Sequence, residues 1–281
     1  MRKLVIAAIL GLAPLSASVV PTPAVAQAES FVMSTAELMK ATALDEVFTQ
    51  FGASIAETPS VQDVPFNATM RRAWADASRD VFSAPAMHRR LARALDNKFS
   101  DEDYRVFSTF YASSFGQSVT EAERRATELT SGEQTRARIS GTALAASADA
   151  RRTEQIDEML DLVSADVAAA MVRQSMRGIL IGLSMATQQG DIEVPWEEIE
   201  LQLDAIMPGL ESDIALTQKA LMFFAYEQFS EAEIDEYLVF LRTRSAQKLY
   251  AVSAYAIGDI VAERMHAFGE ALAARLARVN V

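Results

Sequence analysis

Ser245-Ala246-Gln247-Lys248 fits S-x-x-K. At this spacing one helical turn sets a lysine amine beside a serine hydroxyl, and the pair can act as an acyl-transfer nucleophile. The S-D-N and K-T-G segments that complete such a site are missing from the chain. A plain pair of helix side chains needs neither, and that reading is the better supported. Cysteine is absent, which removes disulfides, thiolate metal sites, iron–sulfur clusters, a cysteine nucleophile and a lipid-modified N-terminal cysteine. Imidazole is limited to His88, beside Arg89 and Arg90, and His266, so a two- or three-histidine zinc site is not expected. Each histidine reads as a surface or partly buried residue. Two acid clusters, Asp101-Glu102-Asp103 after Ser100 and Glu197, Glu198 and Glu200 after Pro195, stand at helix starts. There the macrodipole favours negative charge, and no third ligand converges on either. No catalytic residue, metal or cofactor is therefore assigned.

These side chains must be held by helices, because the apolar residues step by three and four and nothing alternates as a strand. Ser34 with Glu37 forms a capping box, after which Leu44, Val47, Phe48, Phe51 and Ile55 mark one helical face as far as Pro59. Ile156, Met159, Leu160, Val163, Val167 and Met171 give a second long helix. Val261, Met265, Phe268, Leu272, Leu276 and Val279 give a last one, which should dock on the body or on a partner, with Arg264, Arg275 and Arg278 off the stripe. The predicted class is all-α.

The chain also predicts its own location. Arg2 and Lys3 precede an apolar stretch from Leu4 to Leu15, and Ala24-Val25-Ala26 supplies a small-residue cleavage site before Gln27. Residues 1–26 therefore read as a cleaved Sec-type signal peptide, and the product as periplasmic or secreted and bacterial. The formal net charge of −12 becomes two units more negative once Arg2 and Lys3 leave. Such a surface repels nucleic acid and anionic lipid. The most apolar later run, Gly178 to Ala186, is far shorter than the ~20 residues a spanning helix needs, so stable membrane insertion is not expected. Its Gly178-x-x-x-Gly182 spacing suits the close approach of two helices.

Laid on itself, the chain shows an internal repeat. Asp63-Val64-Pro65-Phe66 matches Glu193-Val194-Pro195-Trp196 at an offset of 130, as Leu91 does Leu221 and Phe99-Ser100-Asp101 does Phe229-Ser230-Glu231. Further along, Asp103 meets Glu233, Phe107 meets Tyr237, Phe110 meets Phe240, Tyr111 meets Leu241 and Gln117 meets Gln247. Upstream, Leu44 to Phe48 matches Ile156 to Leu160 at an offset of 112, implying an insertion of 18 residues between about 165 and 192 of the second copy. We therefore expect a tandem duplication, with a first helical unit over 27–130, a linker or polar helix over 131–152 and a second unit over 153–281. The repeated positions read as structural. Ser100 and Ser230 cap helices, Phe99 and Phe229 staple the entering chain, Phe110 and Phe240 face the core, and Gln117 and Gln247 are partly buried and bonded to a neighbouring helix end or to a ligand.

Phe99-Ser100-x-x-Asp103 followed by Phe110-Tyr111-Ala112-Ser113-Ser114-Phe115-Gly116-Gln117-Ser118 resembles the hallmark of a domain of unknown function found in exported bacterial proteins. That hallmark reads roughly F-[ST]-x-x-E, then F-Y-x-S-P-x-G-Q-K. The first copy departs at Asp103, Ser114 and Ser118, and the second keeps Phe240, Gln247 and Lys248 while losing Tyr, Ser, Pro and Gly. The resemblance implies an all-helical exported protein and no known activity.

From the residues, the expected role is non-enzymatic binding of an envelope protein or peptide in grooves between helices, which the twelve methionines would suit. The alternatives are binding of a small apolar ligand in a helix-lined cavity and, more remotely, hydrolysis by Ser245 and Lys248.

Overall fold

A computed structural model describes residues 33–49, 51–61, 67–127, 129, 131–163, 172–173, 176–178, 180 and 196–278. The described residues form helices and turns with no strand. In chain order the helices are α1 (Thr35–Ala41), α2 (Phe51–Val61), α3 (Ala68–Val81), α4 (Ala84–Leu95), α5 (Asp101–Tyr111), α6 (Ser114–Thr127), α7 (Ser131–Ser147), α8 (Ala150–Leu162), α9 (Trp196–Ala225), α10 (Glu231–Leu241) and α11 (Arg244–Ala277). The signal segment, the Pro65 and Pro195 motifs, Val167, Met171 and Val279 lie outside the described residues.

Local chemistry explains where these helices begin. Ser34 and Glu37 form the expected capping box, Asn67 accepts from the Met70 N–H at 2.8 Å and Asp149 from the Arg152 N–H at 2.8 Å. Each supplies an acceptor for N–H groups that a first helical turn leaves unpaired.

Two expectations are corrected. The helix read from Ile156 onward stops at Leu162, where Val163 is its C-cap and donates its N–H to the Met159 carbonyl. The face from Leu44 to Ile55 does not lie on a single helix, because α1 stops at Ala41 and residues 42–49 are turns. The Thr42 hydroxyl donates to the Leu38 carbonyl at 2.8 Å, closing the helix, and Ala43 takes the left-handed conformation with φ of 54°, reversing the chain. Val47, Phe48, Phe51 and Ile55 are nevertheless buried. The spacing encoded burial, and the backbone reached it by another route. As a result, Leu44–Phe48 is a turn where its match at offset 112, Ile156–Leu160, is helical.

Elements 130 residues apart correspond closely. α5 and α10 start and stop at that offset, α6 and α11 start at it, and α4 and α9 end at it. They also differ, since α11 runs on to Ala277, well past the residue that matches the end of α6 at Thr127. Phe82 and Ser83 break α3 from α4 ahead of Pro85, whereas the matching stretch of α9 runs unbroken through an exposed Pro208.

The main apolar core runs from Met33 to Leu276 and includes both proposed units, and a small second cluster forms around Val172 and Ile214. The final helix carries the expected stripe, with Val261, Met265, Phe268 and Leu272 fully buried, and it docks on the body, packing on α3, α4 and α5. Phe268 meets Trp74 edge-on at 4.9 Å, and Arg275 pairs with Asp80 of α3. Segment 131–147, read as linker or polar helix, is α7, and it packs along α9. Gly141 makes this contact possible, since a Cβ there would fall 1.8 Å from the Ala220 carbonyl oxygen. Gly178 of the G-x-x-x-G pair likewise lies against α11, where a Cβ would be 2.7 Å from that of Met265. Gly182 lies outside the described residues.

Candidate functional site

The repeated motif builds two similar helical corners. In the first, Ser100 accepts from the Asp103 N–H while Asp103 accepts from Ser100, and Phe99 is buried against Phe107. In the second, Ser230, Glu233 and Phe229 repeat the capping box and the buried aromatic. At the far end of α5 the Ser113 hydroxyl accepts from the Gly116 N–H at 2.9 Å and donates to the Phe110 carbonyl at 2.6 Å. Thr243 does the same after α10, accepting from the Ala246 N–H at 3.1 Å and donating to the Phe240 carbonyl at 2.7 Å. Sequence comparison scored Thr243 as a lost serine, although a hydroxyl of either kind makes the corner.

The glutamines resolve unequally. Gln247 is partly buried and donates to the Leu241 carbonyl at 2.7 Å and the Leu162 carbonyl at 3.1 Å, tying together the ends of two helices. Gln117 is exposed, which corrects the expectation of burial, and makes a longer bond to the Ala112 carbonyl at 3.3 Å. Phe110 and Phe240 stack face to face, with centroids 3.9 Å apart and planes at 6°. Equivalent residues of the two proposed copies therefore touch one another.

Around this stack the first and second halves of the chain exchange polar contacts in two clusters. In the first, the carboxylate of Asp103 reaches across to the S-x-x-K pair. Ser245 donates to its Oδ1 at 2.8 Å and Lys248 to its Oδ2 at 2.7 Å, while the Lys248 ammonium lies 5.7 Å from the Phe99 ring centroid. Burial pushes the Asp103 carboxyl up, but bonds from Lys248, the Ser100 N–H, Ser245 and the Ser100 hydroxyl outweigh it and hold the group well below the usual carboxylate range. This arrangement opposes nucleophilic catalysis. Ser245 is 8% exposed and its proton is committed to Asp103, while the lysine that should act as base donates to the same carboxylate at 2.7 Å.

The second cluster escaped sequence reading. The Glu123 carboxyl of α6 accepts from Tyr226 at 2.5 Å and from Tyr237 of α10 at 2.7 Å, both on Oε1. Tyr237 is also bonded to Tyr250 of α11 at 2.9 Å. Since Tyr237 spends its proton on Glu123, Tyr250 must donate to Tyr237, and the chain of hydroxyls points towards one carboxyl. Burial, against the two phenol bonds, pushes Glu123 above the ordinary glutamate range, and burial together with the Glu123 charge raises Tyr226 and Tyr237. Only a repeat comparison of polar against apolar positions could have signalled this cluster, because the 130-offset partner of Tyr237 is Phe107.

The remaining candidates take structural positions. His88 accepts from the Phe48 N–H at 3.1 Å, and burial lowers its pKa. His266 faces Glu270 at 3.6 Å on the surface. Asp101 and Glu102 stay exposed in the first turn of α5, and Glu200 pairs with Arg173 at 2.8 Å and Arg177 at 3.1 Å. Among the described residues no three carboxylates or imidazoles are grouped to hold a metal ion, and no helix is long and apolar enough to cross a membrane. The chain matches no family model, no curated protein and no solved structure.

Proposed function

We propose that this chain is an exported, non-enzymatic helical protein that binds another envelope protein or a peptide. The carrying observation is where its side chains are spent. The groups able to do chemistry, Ser245, Lys248, Asp103 and Glu123, are consumed in joining helices. By contrast, Ile139 of α7 and Leu201 and Leu216 of α9, on two helices packed together, are 60%, 71% and 65% exposed. Large apolar side chains left outside on one helix pair suit recognition of a partner's apolar face. The acidic balance argues against nucleic acid as that partner.

The reading includes a cleaved leader over 1–26 and a tandem duplication, 27–130 and 153–281 joined through 131–152, of the kind implied by the resemblance to the exported domain of unknown function. The shared helix limits at offset 130, the paired capping boxes and the Phe110–Phe240 stack support the duplication. N-terminal sequencing of exported protein should give Gln27 or a close neighbour, and a full-length cytoplasmic product removes the localisation. Tagged mature protein should capture a defined partner from its own envelope extract. Leu201→Glu and Leu216→Glu should weaken capture at least tenfold with unchanged thermal unfolding. A bound small molecule in place of a protein partner would transfer the assignment to ligand binding.

A further inference from the structure

We propose that the outer face of α9 is a docking site for an amphipathic helix with basic flanks, a choice of partner that rests on the binding role proposed above. Leu201, Ala205, Gly209, Ser212 and Leu216 fall within one band about 80° wide along α9, and the band runs for ~22 Å. All five are exposed. Leu203, Met207 and Ile214 point the opposite way and are buried, Ile214 against Val172. The helix is thus docked by its other side, and this one is left outside.

A leucine stands at each end of the band, with small residues between. A Cβ built on Gly209 would meet nothing within 4 Å, so the middle of the face is open to a side chain from outside. Close approach over small residues, between larger ones that fill the ends, is how one helix packs on another. An added strand finds no purchase here, because the backbone groups in the body of a helix are already bonded within it. The stretch 130 residues earlier carries the ordinary alternative. Arg71 and Arg79 stand there in place of Leu201 and Gly209, and both are exposed.

Charge selects the partner. Glu197 stands one turn before Leu201, and Glu211 and Asp213 border the band on opposite sides. All three are exposed, and none forms an ion pair among the described residues. Elsewhere on the same helix, Glu200 and Asp204 are taken up by Arg173, and Lys219, its one basic residue, by Asp157. A helix carrying Lys or Arg beside its apolar stripe would meet uncompensated carboxylates along both edges, where rim charge sets orientation and encounter rate. A second copy docked by the same face would bring acid to acid.

Two synthetic helical peptides with the same leucine stripe, one flanked by lysine and arginine and the other by glutamate, test the face by fluorescence anisotropy against the mature full chain. The basic peptide should bind at least about tenfold more tightly, and added salt should weaken it. Leu201→Ser with Leu216→Ser should weaken it by about tenfold or more, as should Glu211→Lys with Asp213→Lys. Glu236→Lys with Asp259→Lys, at exposed acids of α10 and α11, changes net charge equally and should leave affinity within about twofold. All these positions are exposed, so circular dichroism should show wild-type unfolding temperatures. Equal binding of the two peptides, or equal losses with the two lysine pairs, overturns the proposal. So does a dimer of the chain, seen in sedimentation, that Leu201→Ser abolishes. Capture from envelope extract separates the face from the wider role. A captured partner unmoved by Glu211→Lys with Asp213→Lys rejects the basic helix and leaves the binding role standing. No captured partner, with the peptide preference intact, rejects the envelope partner and upholds the basic-helix face.

Discussion

Asp103 and Ser245 stand 142 positions apart and meet at 2.8 Å in the interior, and this contact decides what the S-x-x-K pair is for. The carboxylate is the third residue of its own helix cap and must accept from Ser100. Its remaining capacity is turned on Ser245 and Lys248 of α11. Because Asp103 is held below the usual carboxylate range, it contributes stability that is present above its unfolded pKa, about 3.8, and is lost as pH falls towards the folded value. Wild type should therefore lose thermal stability steeply below about pH 4, and Asp103→Asn should show a flatter acid limb from a lower start. At neutral pH the substitution should cost ~1–3 kcal/mol, the usual penalty when a bonded buried group loses its charged partner. Calorimetric unfolding from pH 7 to pH 2 checks both. If the two acid limbs run parallel, Asp103 is not the stabilising group. The cap itself was legible from Ser100 and Asp103 alone. The second half of the carboxylate's task was not, because no spacing within α5 can announce a residue of α11.

Helices were more legible than their ends. The capping signatures at Ser34, Ser100 and Ser230 placed three starts correctly, because a cap is a local hydrogen bond between residues three apart. The stop after Ala41 was missed, since it depends on Ala43 taking a left-handed conformation that its side chain does not favour. α7 had an ambiguous composition for a related reason. Its closest approach to α9 is made at Gly141, and small residues that let two backbones meet leave almost no hydrophobic periodicity. This gives a sharp contrast within one helix. Gly141→Ala forces a methyl group onto the Ala220 carbonyl and should destabilise by several kcal/mol through displacement of α7. Gly132→Ala, with nothing within 4 Å of the new Cβ, should be neutral or stabilise by up to ~1 kcal/mol, the difference in helix propensity. Denaturant midpoints of the two variants check it. Equal effects would mean that α7 is not pressed against α9.

At the scale of the whole molecule, the duplication expected from the 130-residue offset leads to a consequence beyond likeness of parts. Neither half closes a core by itself. The last helix of the second half, α11, packs on α3, α4 and α5 of the first, and α6 of the first packs on α9 of the second. Phe268 of α11 covers Trp74 and Phe82. Phe110 stacks on Phe240, and the two polar clusters built on Asp103 and Glu123 both span the halves. Removing either half would expose these aromatics and leave Asp103 or Ser245 without its partner, a loss of many kcal/mol against the ~5–15 kcal/mol that stabilises a typical domain. The halves are thus arranged like protomers of an obligate dimer, whose subunits have no stable fold apart. A protease site placed between residues 127 and 131, at the junction of α6 and α7, should be cleavable in the native protein. The two pieces should then elute together on gel filtration and unfold in one cooperative transition. Its midpoint should rise with protein concentration after cleavage and be independent of concentration before it. Each piece, separated in denaturant and returned to buffer alone, should give no cooperative unfolding. Remixing should restore it. If either half refolded by itself with a sharp transition, the core would be divisible, and the exchange of α6 and α11 between halves would be an accessory to two self-sufficient units.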